Sequence, residues 1–158
     1  MRIEGTPRVA VIPRAVVDEI VAHAREALPN EACGIVHASS DGATLTVHRV
    51  TNVAGDHQAG SPYRYEMHPL ELLKLEQRRD ELGERLFAIY HSHVASEARP
   101  SPTDVRMAFF PPGTIESEPM YPDTYYVLVS LAGEPPPVRA FHIRTGGVVE
   151  EEPLEVRD

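Results

Sequence analysis

The chain is constrained most by residues 87–104, where an apolar run ends in two histidines and a helix start follows shortly after. Phe87-Ala88-Ile89-Tyr90 has the apolar and aromatic character of a buried strand, and it runs directly into His91-Ser92-His93. Side chains two apart on a strand share a face, so His91 and His93 converge while Ser92 points away. After seven intervening residues, Ser101-Pro102-Thr103-Asp104 reads as a helix start. Ser101 is the N-cap, Pro102 the first helical residue, and Asp104 the third position of a near capping box. Two imidazoles and one carboxylate are three N/O ligands, the number a catalytic zinc site uses when its fourth position stays open. Each half also has a plain reading. Ser-x-x-Asp is a common cap, and two histidines can simply end a strand in solvent. The combination of same-face histidines, a short link and an acid in the first helical turn shifts the balance toward metal binding, with the plain readings still open on spacing alone.

The rest of the chain supplies elements to hold that stretch. Residues 9–12 suit a first strand, and Pro13 fits the first turn of a helix carrying Val16, Val17, Ile20, Val21, Ala24 and Leu28 on one apolar stripe. Residues 32–36 have strand character with Glu31 at their mouth. Asp41-Gly42 signals a hairpin, and Leu45, Val47 and Val50 alternate after it. A polar loop over residues 52–62 and an extended piece over residues 63–66 lead to a second helix, from His68-Pro69 to about Glu81. Leu72, Leu73 and Leu75 are assigned to its inner side, and Gly83 stops it. The helix opened by Pro102 is expected to reach about Phe110. Residues 111–122 form a proline-rich loop expected to border the cleft as a fixed wall. Residues 125–131 are the most apolar strand, and residues 138–149 read as a terminal hairpin. Helices and strands thus mix within one unit spanning residues 1–158, an α/β or α+β fold with a central mixed sheet flanked by helices.

Composition narrows the function classes. A formal charge of −9 gives phosphate groups no basic face, which argues against nucleic acid. No apolar run approaches the ~20 residues of a membrane helix, and residues 1–20 lack a signal-peptide pattern. The single cysteine, Cys33, excludes an internal disulfide framework and a cysteine-built zinc site, so a reducing cytoplasm is the expected setting. Cys33 itself reads as a core residue rather than a nucleophile. His23, His37, His48, His57, His68 and His142 lack ligand spacing and read as surface or helix-end residues. Neither His-Glu-x-x-His nor a Cys-x-x-Cys beside His-x-Glu is present, so helix-borne zinc proteases and zinc deaminases fit less well.

His91-x-His93, Ser101-x-x-Asp104 and the upstream Asn30-Glu31-Ala32-Cys33-Gly34 together resemble the JAMM (MPN+) family of zinc isopeptidases, along almost the whole chain. Within it they are most similar to the actinobacterial branch that releases cysteine from the C-terminus of a small ubiquitin-like sulfur carrier. The loop over residues 110–123 departs from the resemblance by its length and prolines. The resemblance implies one Zn²⁺ held by His91, His93 and Asp104, with Glu31 as general base and Ser101 as oxyanion donor. It also implies a carrier partner ending in Gly-Gly, whose tail lies extended near the metal. Asn52 is expected on the tail-binding side. Arg99, with Arg106 as second choice, is expected to meet the carboxylate of an amino-acid leaving group; both also read as solvated cations. A lysine isopeptide, or a carrier held without cleavage, remain alternative substrates, and a homodimer is an open possibility.

Overall fold

A computed structural model describes residues 9–158. In chain order the elements are β1 (Ala10–Pro13), α1 (Arg14–Ala27), β2 (Cys33–Ala38), β3 (Leu45–Val50), α2 (Pro69–Leu82), β4 (Arg85–His93), α3 (Pro102–Met107), β5 (Tyr125–Ser130), β6 (Val138–Arg144), β7 (Val148–Glu152) and β8 (Leu154–Arg157). Six strands form one sheet in the order β3-β2-β4-β5-β6-β7, and β1 pairs with β8 separately. Only β4 and β5 run parallel within the large sheet, so it is mixed, as expected.

Strand alternation divides β4 between two cores. Ala88 and Tyr90 face the side covered by α1, with Ile20, Val36, Val127 and Val129. Ile89 faces the other side with Ile35, Leu128, Phe141 and Phe109, where Leu72 and Leu75 of α2 and Val105 of α3 also pack. His91 and His93 continue the parity of Ile89, so the histidines emerge on the face flanked by α2 and α3.

Several sequence expectations need correction. The stripe on α1 buries Val16, Val17, Ile20 and Ala24, but Leu28 lies beyond the helix and is exposed. On α2 only Leu72 and Leu75 turn inward, and Leu73 faces solvent. The inward positions fall at 72, 75 and 79, one helical face, with the partly buried Arg79 continuing it. Helix α3 stops at Met107 rather than near Phe110. Phe109 leaves the helix to fill the core, and the residue before a proline, Phe110, disfavours helical backbone. His37 and His142 are fully buried in the sheet rather than on the surface, while His68 caps α2. β8 had no counterpart in the sequence reading; its Leu154 and Val156 pack against the α1-side core.

Gly34 sets how closely β2 approaches its neighbours. A Cβ there would overlap the ring of Tyr90 and lie 2.5 Å from the carbonyl oxygen of His48. Both neighbours are held, Tyr90 by the core and by its hydroxyl contact with His23, and the carbonyl by the sheet. Gly34→Ala is therefore expected to destabilise the protein by about 3 kcal/mol, read from denaturant unfolding midpoints; an unshifted midpoint would show that the sheet yields there.

Candidate metal centre and active site

Three elements deliver the site. The end of β4 places His91 and His93 on one face, and the first turn of α3 places Asp104 against them. His91 Nε2 lies 3.0 Å from Asp104 Oδ2, His93 Nε2 lies 3.2 Å from the same oxygen, and the two Nε2 atoms are 3.2 Å apart. Four-coordinate zinc with bonds near ~2.0 Å has ligand-to-ligand edges of roughly 3.3 Å, which this triangle matches closely. Among the described residues, His91, His93 and Asp104 are the group whose ligand atoms converge in this way. The donor set therefore fits a divalent metal.

Local bonds orient the ligands. His93 Nδ1 lies 2.7 Å from the Glu97 carbonyl, which accepts its proton and leaves the Nε2 lone pair facing the triangle. Ser101 caps α3: its Oγ accepts from the Asp104 backbone N–H at 3.1 Å, and its own N–H donates to Asp104 Oδ2 at 2.8 Å. The capping box that seemed to compete with a functional reading is what aims the carboxylate. Burial alone would raise Asp104, but His91, His93 and the Ser101 N–H hold it well below the usual carboxylate range. Burial alone would lower His93, yet its bonds to Asp104 and the Glu97 carbonyl raise it.

Glu31 sits just before β2, on the same face. Its backbone is gripped from every side: its N–H donates to the Ser61 carbonyl, its carbonyl accepts from Asn52 Nδ2, and the next residue bonds Ser92 in both directions. Ser92, which points away from the metal face, thereby registers Glu31 against β4. The residue is only 4% exposed, and among the described residues its Oε1 has no hydrogen-bond partner. Burial pushes its pKa up to about 8, with His93 opposing and Asp104 reinforcing the shift. A buried carboxyl with one unpartnered oxygen, lying in the fields of His93 and Asp104, is a poor structural element and a good proton carrier.

The remaining expected residues are placed as follows. Asn52 spends its whole amide on backbone: Nδ2 donates to the carbonyls of Glu31 and Arg64, and Oδ1 accepts from the N–H groups of Ala54 and Glu66. It holds the wall of the site rather than presenting a free amide. Arg99 is exposed, with its guanidinium 6.0 Å from the centre of the Phe141 ring, and Arg106 is exposed on α3. Among the described residues neither forms an ion pair. Cys33 is fully buried and burial pushes its thiol up to about 12, which makes it inert as a nucleophile. An apolar cavity of about 230 Å³ opens beside Asp104, lined by Ile35, Tyr65, Leu72, Ile89, Met107 and Tyr126 among others. Tyr121 of the proline-rich loop also lines it, so that loop does border the cleft. Hydrogen bonds from Gly113 N to the Arg106 carbonyl, from Met120 N to the Ala108 carbonyl and from Arg144 to the Pro122 carbonyl tie the loop down. The sequence reading missed Tyr65, whose ring packs on His91; its aromatic character within a short extended piece was the one available signal.

A mixed sheet that presents His-x-His from a strand end, an aspartate from the next helix and a buried glutamate beside them defines a hydrolase of the JAMM peptidase type. The family described as prokaryotic homologs of the JAB domain matches residues 13–144, and the chain belongs to it. The CysO-cysteine peptidase of Mycobacterium tuberculosis is 35% identical over 154 residues, 97% of this chain and 94% of that one. A probable TtuB-protein conjugate cleaving protease of Thermus thermophilus is 35% identical over 101 residues, 63% of this chain and 64% of that one. A solution structure of a Desulfitobacterium hafniense protein superposes with a TM-score of 0.73 at 30% identity, covering 96% of this chain and 94% of that one.

Glu31 makes the stability of the metal-free protein depend on pH. Below its ordinary value of 4.5 the carboxyl is protonated in the folded and unfolded chains alike. Between there and about 8 the folded chain holds a proton that the unfolded chain has lost, so this group's contribution falls as pH rises. The melting temperature of metal-free Glu31→Gln should gain on that of the parent between pH 5 and pH 8; a constant gap would place Glu31 in an ordinary environment.

Proposed function

We propose that the chain is a zinc-dependent peptidase that hydrolyses the amide bond between the C-terminal glycine of a ubiquitin-like sulfur carrier and cysteine. The observation that carries the reading is the buried Glu31 carboxyl, its Oε1 unpartnered among the described residues, beside a convergent His91–His93–Asp104 triangle. The name and near-complete coverage of the mycobacterial relative support the choice of adduct.

His91, His93 and Asp104 hold the metal, one anion and two neutral imidazoles leaving net positive charge. Bound zinc supplies Lewis acidity, polarising a carbonyl and lowering the pKa of water toward ~7. Glu31, raised to about 8 by burial in the metal-free protein, would ionise more readily beside a dication held by these residues and so serve as a base. Glu31 then takes the proton of the attacking water and passes it to the departing amine. Ser101 donates its hydroxyl proton to the developing oxyanion. Its lone pair already accepts the Asp104 N–H, so capping and donation use different parts of one group. Oxyanion donors of this kind contribute ~3 kcal/mol. A Gly-Gly tail passes close to the ligands because it carries no side chains there, and the apolar cavity beside Asp104 gives the adjoining tail room.

A lysine isopeptide is the second reading, favoured by the Thermus relative, whose name concerns protein conjugates. Mass spectrometry of a carrier–cysteine adduct and of a carrier–lysine conjugate, each incubated with the enzyme, separates the two. Cysteine release should stop with chelator. Glu31→Gln should retain zinc and lose about 10²–10⁴-fold in rate; a variant that cleaves normally would remove Glu31 from the chemistry.

If Arg99 meets the carboxylate of the leaving cysteine, Arg99→Ala should raise KM for carrier–cysteine about tenfold and leave zinc content unchanged. Unaltered kinetics would leave Arg99 as the solvated cation its exposure allows.

A further inference from the structure

The two imidazoles are oriented by different means. His93 has a hydrogen bond from Nδ1 to the Glu97 carbonyl, the usual device by which a ligand histidine is fixed in plane and tautomer. His91 has none among the described residues: its Nδ1 is buried there without a hydrogen-bond partner. The ring of Tyr65 lies against the His91 ring instead, with centroids 4.5 Å apart and planes inclined by 30°. That spacing is within the range of offset aromatic stacking. Rotating the imidazole about its Cβ–Cγ bond would drive its edge into the phenol, so the contact restricts the one torsion that a hydrogen bond at Nδ1 would otherwise restrict.

Tyr65 is itself held from both sides. Asn52 accepts from the Glu66 N–H and donates to the Arg64 carbonyl, the residues flanking Tyr65, and a bridge between Asn52 and Met67 closes the segment. The same Asn52 side chain donates to the Glu31 carbonyl, so one amide registers the stacking ring and the buried carboxyl together. Tyr65 also lines the apolar cavity, which makes it the partition between that space and the triangle.

We propose that Tyr65 is a positioning residue for His91, its ring replacing the hydrogen bond that the Nδ1 of this ligand lacks. The inference rests on the reading of His91, His93 and Asp104 as metal ligands. Zinc affinity, measured by competition with a chromogenic chelator, tests it alongside the absorption bands of the Co²⁺-loaded protein. Tyr65→Phe keeps the ring and should bind zinc as the parent does. Tyr65→Leu removes the ring and should weaken zinc about 10–100-fold and alter the Co²⁺ bands, with a melting curve of the metal-free variant showing that it is folded. Should the leucine variant not fold, Tyr65→Met, a flexible chain of similar reach, replaces it. Equal zinc affinity for parent and leucine variant overturns the proposal, and so does an equal loss in Tyr65→Phe, which would assign the role to the hydroxyl. A parent protein that binds no zinc removes the metal reading and the inference together.

Discussion

The site depends on a short piece of backbone pairing. Ser92 donates its N–H to the Ala32 carbonyl, and its hydroxyl accepts the Ala32 N–H. This extends the antiparallel register of β2 and β4, in which Cys33 lies opposite His91, by one residue past the end of β2. Side-chain alternation then fixes everything else. With Ala32 and Ser92 turned to one side, Glu31 and the two histidines fall on the other. A slip of one residue in either strand would send the carboxyl or the imidazoles into the α1-side core. Backbone hydrogen bonds, not contacts among the functional side chains, therefore set which groups meet.

Much of this was legible in the sequence because it obeys short-range periodicities. The apolar run into His91 gave β4, the i and i+2 rule gave the shared face, and Ser101-Pro102 gave the start of α3. Glu31 could be placed only through the family resemblance, since nothing local links it to residues sixty positions later. The pairing that does so is tertiary. The same limit explains the misplaced residues. His37 and His142 sit in strands where alternation would permit either face, and their burial is decided by the elements laid over the sheet. Leu73 lies one position off a helical face that Arg79 continues, and apolar character alone suggested the wrong side. Asn52 lies beside Glu31, and its four backbone partners make it part of the scaffold. Tyr65 acquires its position entirely from those bonds.

The capping box shows how one local motif can satisfy two demands. A serine–aspartate pair at a helix start ordinarily ends with both groups satisfied by backbone. Here Asp104 Oδ2 accepts the Ser101 N–H and still lies within 3.2 Å of two imidazole nitrogens. Capping fixes the carboxylate by a bond within the helix turn, so its aim does not depend on a long flexible side chain finding its place. The same bond leaves the Ser101 hydroxyl proton unspent. A carboxylate drawn from a loop would have needed a separate anchor.

The polar groups gathered at the site are crowded and incompletely paired. Among the described residues Glu31 Oε1 and His91 Nδ1 are buried without partners, and two imidazole nitrogens face each other across 3.2 Å. Each unsatisfied buried group costs about 1–3 kcal/mol, so the arrangement persists only because the surrounding sheet and its two apolar cores over-determine it. A cation held in the triangle would relieve the crowding of the ligand atoms and favour the ionised form of Glu31 at once, which would couple metal binding to stability and to proton release. The parts of the site that a ligand would satisfy are the parts that the fold leaves unsatisfied. The Glu31 carboxyl, raised to about 8 by burial in the metal-free chain, would become a base once a positive charge stood next to it.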